Sequence, residues 1–193
     1  MSGPASGDLE LLRSFVNTNE PDTNTDQVDT PERLRDWLVE RSLLAMDATI
    51  DEEAHRQTLE FREAVRALAL ANGAMELDPA AITTLNRLGA QASLSVLMDS
   101  DGHPELHAGG EGLHQTFGHL FSIMYTAMVD GSFLRLKGCA NDTCQWLFYD
   151  HSKNRSKKWC EMQTCGNVIN ARAYRQRHRH EAPAPDPQGP RSP

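Results

Sequence analysis

Lysine is missing from the first 134 of the 193 residues; all four lysines (Lys137, Lys153, Lys157, Lys158) fall after that point. Long apolar runs are missing too: none approaches the roughly 18 residues a membrane span needs. Met1–Asp8 carries neither a basic start nor an apolar stretch, so no secretory signal is visible and a cytoplasmic protein is expected. The usual marks of catalysis are absent. Gly109-Gly110-Glu111-Gly112 lacks the strand–loop–helix setting and the lysine of a nucleotide site. No serine sits in a nucleophile elbow. His103, His107, His114 and His119 form no pair with a carboxylate in a metal-ligand pattern, and read as ordinary histidines. No enzyme is expected. Cysteine is scarce and confined: the four present all lie between 139 and 165.

What is present is unevenly spread. Hydrophobic residues make up 39% and charged residues 24%, enough for a packed core. The net charge of −8 conceals two opposite halves. Residues 1–134 hold 8 Lys+Arg against 22 Asp+Glu, a net −14; residues 135–180 hold 10 against 3, a net +7. Such asymmetry points to a basic binding module attached to an acidic domain. Three regions follow: a mostly helical domain over 1–134, a basic cysteine module over 135–180, and a proline-rich tail over 181–193 expected to be disordered.

Helical signals dominate the first region. Thr30-Pro31 reads as an N-cap with proline at the first helical position, followed by Leu34, Trp37 and Leu38 on one stripe. Thr49-Ile50-Asp51-Glu52 reads as a capping box opening a helix that runs towards Gly73. Its apolar face is Phe61, Val65, Leu68 and Ala69. Asp78-Pro79 opens a third helix, carrying Ile82, Leu85 and Leu88. Leu94–Met98 and Pro104–Ala108 read as two strands around a turn at Asp99–Gly102. A long helix is predicted from Gly112 to Val129, with Leu113, Phe117, Leu120, Phe121, Met124 and Met128 on one broad face.

The cysteines are spaced Cys139-x4-Cys144, then fifteen residues, then Cys160-x4-Cys165. Two close pairs joined by a longer loop build a tetrahedral metal site, each pair coming from one tight turn. Four thiolates suit zinc, and a full protein shell leaves no place for a catalytic water, so one structural zinc is expected. An iron–sulfur cluster and a pair of disulfides are the alternatives. Trp146, Phe148 and Trp159 are expected to pack around the metal, with Trp146–Tyr149 as a strand leaving the first knuckle and Lys157–Cys160 as a strand returning to the second. A helix over roughly Asn167 to Arg177 should close the module, with Arg172, Arg175 and Arg179 on one face.

These residues carry a resemblance. The stretch Trp146-Leu147-Phe148-Tyr149-Asp150-His151-Ser152-Lys153-Asn154, the segment Lys157-Lys158-Trp159-Cys160 and the triplet Cys165-Gly166-Asn167 resemble the CGNR zinc finger. Val168 stands where that family's tetrad ends in arginine, which removes one basic contact and leaves the metal ligands untouched. Phe15-Val16-Asn17-Thr18, Leu34-Arg35-Asp36-Trp37-Leu38 and Phe61-Arg62-Glu63-Ala64-Val65 resemble the ABATE domain that accompanies it, with Ser14 in place of the usual acidic residue. The resemblance implies a stress-linked transcription regulator that contacts double-stranded DNA.

The candidate phosphate contacts are Lys153, Arg155, Lys157 and Lys158 between the knuckles, and Arg172, Arg175, Arg177 and Arg179 on the last helix. A Zn(Cys)4 centre of about −2 leaves the module basic. Asn154 and Asn167 are read as turn residues. Trp37 and Arg62 would bind a small anionic effector if both faced one cavity. The expected protein is therefore α+β. A mainly helical N-terminal domain with a small β-hairpin precedes a zinc-knuckle module with a terminal basic helix. It is expected to bind DNA, with an N-terminal domain that senses an effector or mediates homodimerisation. The alternative is a zinc-braced protein-interaction or small-ligand-binding module without DNA affinity.

Overall fold

Helix α1 (Leu9–Val16) buries Leu9, Leu12, Phe15 and Val16, spacings that return to one face of a 3.6-residue turn. The coordinates, a computed structural model, describe residues 4–5, 7–73 and 75–179, without the side chains of 173 and 177–179. The expected disorder of 181–193 lies outside the described residues. A two-residue ribbon follows α1, β1 (Asn19–Glu20) against β2 (Thr25–Asp26). Helix α2 (Pro31–Glu40) starts as expected, with the Thr30 hydroxyl accepting from the Arg33 amide at 3.3 Å.

Helix α3 (Glu52–Ala71) is the axis of the molecule. Its cap differs from the expected Thr49–Glu52 box: Asp51 is the N-cap, and its carboxylate accepts from the Ala54 amide at 2.7 Å. A carboxylate one residue before the helix reaches the open amide and favours the positive end of the helix dipole, so Thr49 is not needed. Phe61 lies at the centre of the core, with ring centroids 5.1 Å from Phe121, 5.7 Å from Phe117 and 6.4 Å from Phe15. Burying each such ring contributes about 2–3 kcal/mol.

Helix α4 (Pro79–Gly89) is capped by Asp78 through the Ala80 amide at 2.9 Å. Ala81, Leu85 and Leu88 face inward, whereas Ile82, expected in the core, is exposed because it sits one residue round from that stripe. Strands β3 (Leu94–Met98) and β4 (Pro104–Ala108) pair antiparallel in full register, from Leu94 opposite Ala108 to Met98 opposite Pro104. Helix α5 (Gly112–Val129) has the expected bounds, and its outer residues Tyr125, Met128 and Val129 are exposed. Strand β4 presses on it so closely that a Cβ at Gly118 would lie 2.9 Å from Ala108 Cβ.

A 3-10 turn, Ser132–Arg135, leads into β5 (Leu136–Gly138), which pairs antiparallel with β6 (Leu147–Tyr149). All six strand residues are buried. Strand β5 lies on α3 at a distance that only glycine permits: a Cβ on Gly138 would meet Leu70 Cδ2 at 2.4 Å. The expected return strand over Lys157–Cys160 does not form. Strand β6 pairs with β5, ahead of the first knuckle, and the 157–160 segment retains one backbone bond there, Ala140 N donating to Lys158 O at 2.9 Å. A π-helical turn, Met162–Gly166, runs into α6 (Asn167–Arg179). The architecture is α+β: a helical body with small antiparallel strand pairs, then the cysteine module and its basic helix.

Candidate metal centre and basic surface

The first knuckle is shaped by backbone bonds. Cys139 N donates to Trp146 O at 2.9 Å, and the amides of Cys144 and Gln145 both donate to Asn141 O, at 2.8 and 3.1 Å. Gln145 adopts φ +50° to complete the turn. The second knuckle is the π turn itself. The Met162 side chain lies over Gly166, where a Cβ would meet its sulfur at 2.4 Å. The two turns bring the four Sγ atoms of Cys139, Cys144, Cys160 and Cys165 within 4.8 Å of one another. Cys160 Sγ stands 3.8 Å from Cys144 Sγ and 3.8 Å from Cys165 Sγ. A tetrahedral zinc with bonds of about 2.3 Å requires sulfurs about 3.8 Å apart. The separations fit the ion, and they exceed by far the roughly 2.05 Å of a disulfide.

Crowded thiols compete for one another's protons. Hydrogen bonds from Cys144 and then Cys160 hold the Cys139 thiol below its ordinary range. The same contact with Cys139 pushes Cys144 and Cys160 upward. A divalent cation replaces those shared protons with positive charge, so binding releases them. Four cysteines, three buried and one half-buried, hold one structural zinc ion here. Asn141, buried beside them, points its side-chain amide at Cys165 Sγ at 3.5 Å, and Trp146 and Trp159 pack around the cluster. Such outer contacts orient ligands and tune affinity.

The module is tied to the helical body by polar side chains. Asn17, buried at the end of α1, pairs with Leu147 as a strand would: its Nδ2 donates to Leu147 O and its Oδ1 accepts from Leu147 N, each at 2.8 Å. Arg66 of α3 donates to Gln145 O at 3.1 Å and to Val16 O at 2.7 Å, while Glu63 holds its Nε at 2.8 Å. Neither Asn17 nor Arg66 was legible as a seam residue in the sequence. Their partners across the seam are backbone atoms, which leave no residue-type signal.

A second clamp orders the loop between the knuckles. Lys137, counted among the basic residues of the module, is buried and donates to Asp150 Oδ2 at 2.9 Å and to Arg155 O. Burial pushes the Asp150 carboxyl up, but hydrogen bonds from Ser152, Lys137 and the amides of Ser152 and Lys157 outweigh it and hold it at about 2. Arg135 closes the other side through Asp150 O and Ser152 O, at 2.9 and 3.1 Å. Lys153, Arg155 and Lys158 stand exposed on this braced loop. Lys157 is half-buried, its Nζ 5.2 Å from the Phe148 ring centroid. On α6, Arg172 and Arg175 are exposed; Arg177 and Arg179 belong to the helix, with side chains outside the described residues. The helix contains no Asp or Glu. Val168, where the finger's tetrad would end in arginine, is exposed at its start.

Trp37 and Arg62 are not brought to one cavity. Arg62 is buried at 3% exposure and committed to Asp26, at 2.7 and 2.8 Å, with Glu63 and Thr18 as further partners. Trp37 packs on Phe15, ring centroids 5.3 Å apart, and carries the Arg41 guanidinium 3.9 Å from its own centroid.

Comparison with known families agrees with this arrangement. Residues 135–178 match the model of the CGNR zinc finger. Residues 9–140 match the ABATE family, described as "Putative stress-induced transcription regulator", over more than half of the chain. The chain belongs to the ABATE family. The two matches meet on β5, the strand that carries the chain from the helical body of this ABATE protein into its zinc module. No curated protein matches it. Both families are of zinc-finger and regulator type and neither is enzymatic. Among the described residues, no helix is long and apolar enough to cross a membrane.

Proposed function

We propose that this ABATE protein is a DNA-binding transcriptional regulator whose zinc module grips phosphates. The single observation that supports the reading most is helix α6: thirteen residues with four arginines, no acidic residue, and Arg172 and Arg175 exposed. A helix of that length spans about 20 Å and fits a major groove. Beside it in the same module, the 153–158 loop offers Lys153, Arg155 and Lys158 on a scaffold held by the Lys137–Asp150 pair, with Lys157 over Phe148. Lysine and arginine contacts to phosphate supply affinity and salt dependence rather than sequence choice. Zinc acts as the brace: it fixes the turn from which α6 departs. The helical body would then carry the input, and the boundary near residue 135 separates the two roles.

The test is fluorescence anisotropy of the zinc-loaded protein against random duplex DNA at low and near-physiological salt. Binding that falls steeply with salt is expected, and Arg172→Ala with Arg175→Ala should weaken it on every sequence and flatten the slope by about two phosphate contacts. An unchanged slope removes α6 from the interface. No binding at low salt ends the DNA reading and turns the basic face towards an acidic protein surface.

A further inference from the structure

A cleft of about 540 Å³ opens between the C-terminal end of α2, strand β4 and helix α5. Its walls are fixed in place. The Thr116 hydroxyl on α5 donates to Leu43 O at 2.6 Å, which ties α5 to the segment leaving α2. The near-contact of Gly118 with Ala108 holds β4 against α5 on the other side.

Arg41 is already oriented there. Its guanidinium lies over Trp37, 3.9 Å from the centroid, and Nη1 donates to Trp37 O at 3.0 Å and to Glu40 at 3.3 Å. Nε and Nη2 make no hydrogen bond among the described residues, so one edge of the fork remains for a planar anion. The next residue is unusual. Ser42 sits at φ +58° just past the helix end, where Leu43 N donates to Leu38 O at 2.9 Å, a position that glycine fills without strain. A serine at this strained position is one of the residues that line the cleft. From α5, Gln115 and His119 are four residues apart and share a face, and His107 joins them from β4. Leu11 and Leu106 supply an apolar wall.

We infer that this cleft binds a small organic carboxylate with an apolar body, its carboxylate on Arg41 and Ser42, its body against Leu11 and Leu106, and its remaining polar atoms towards Gln115 and His119. The site gives Trp37 a role as the platform that orients Arg41. It is independent of the DNA reading, since no residue of the cleft belongs to the zinc module.

Heteronuclear NMR of the full zinc-loaded chain tests it with three probes: phenylacetate, neutral phenylacetamide of the same shape, and inorganic phosphate. Phenylacetate should shift the amides of Leu11, Ser42, Leu106 and Gln115 saturably. Phenylacetamide should bind at least about tenfold more weakly, and Arg41→Gln should abolish the difference. Equal binding of acid and amide, shifts mapping elsewhere, or no shift at all would overturn the proposal. Phosphate matching phenylacetate would overturn the ligand class, because the apolar body would then go unread. Ser42→Gly separates structure from binding: Tm should rise as strain is relieved while phenylacetate affinity falls. A rise in Tm with affinity unchanged would remove the hydroxyl from the site.

Discussion

The helical body and the zinc module reach order by different physical routes. A contiguous set of apolar side chains surrounds Phe61, drawn from the helices and extending to Leu136, Leu147 and Tyr149 of the β5–β6 pair. In the module, the buried cluster consists of Cys139, Cys144 and Cys165, edged by Cys160, Trp146 and Trp159. The first region is held by area removed from water, the second by bonds to one ion. A core loses stability in proportion to what is cut away, whereas a metal site fails as a unit. The contrast extends to charge. Acidic residues in the body pair with its few arginines, and the strongest case is the buried Arg62–Asp26 pair. In the module, Lys137 is neutralised by the buried Asp150 carboxylate, while Lys153 and Lys158 are exposed and Lys157 lies over the Phe148 ring.

The largest expected break comes from removing the ion. Chelation or Cys160→Ser should forfeit a binding free energy on the order of 10 kcal/mol and unfold residues 139–166, leaving α3 and α5 intact. Hydrogen exchange checks it: protection should vanish in the knuckles and persist in the helices, and simultaneous loss would show that the two regions are one cooperative unit. Acidification should separate them in the same order. Zinc leaves first, as thiolates take up protons. In the body, burial raises the Asp26 and Glu63 carboxyls, but arginine hydrogen bonds and charge hold both below their ordinary values. Their contribution is therefore full above about pH 5 and is lost progressively as pH falls through their ordinary values and below. Circular dichroism with zinc release followed in parallel would detect the two steps.

The reciprocal break is Phe61→Ala, which should cost about 3–5 kcal/mol in thermal unfolding while the folded fraction still binds one zinc. Lys137→Met comes next. It leaves Asp150 buried without its cation, at a cost of about 3 kcal/mol, and should loosen the 150–157 loop without releasing zinc. A sharp drop in zinc affinity would mean that the clamp, rather than the cysteine turns, positions the metal. The smallest effect sharpens the seam. Asn17→Ala removes both of its bonds to Leu147 and should cost about 1–3 kcal/mol, because the buried Leu147 amide loses its acceptor while Leu147 O keeps only the Arg13 guanidinium at 3.3 Å. If the seam is the only thing lost, exchange should rise at β6 and stay unchanged at α4.

Much of this was legible along the chain, for reasons that are local. Cysteine spacing announces the metal because ligand pairs must come from tight turns. The Leu94–Ala108 hairpin and the Gly112–Val129 helix were bounded correctly because glycine, proline and aspartate mark their ends. The capping of α3 was misplaced by two residues, since Thr49 and Asp51 are both good caps and only the path of the backbone selects between them. The return strand was misassigned because a strand's partner is a long-range choice: β6 pairs with β5, not with the segment before Cys160.

The sequence by itself determined the zinc ligands, the helical character of the first 134 residues and the opposite charge of the two halves. Each of these depends on residue type and short spacing. Only the tertiary structure decided that Asn17 would stand in for a strand, that Lys137 would be buried against Asp150, and that Arg62 would serve Asp26 rather than a ligand. It also placed Arg41 and Ser42 opposite Gln115 and His119 across a cleft. The physical reason is the same in each case: the partner lies on another element, and which elements meet is settled by burying the apolar faces around Phe61, not by any pattern a local window of sequence contains.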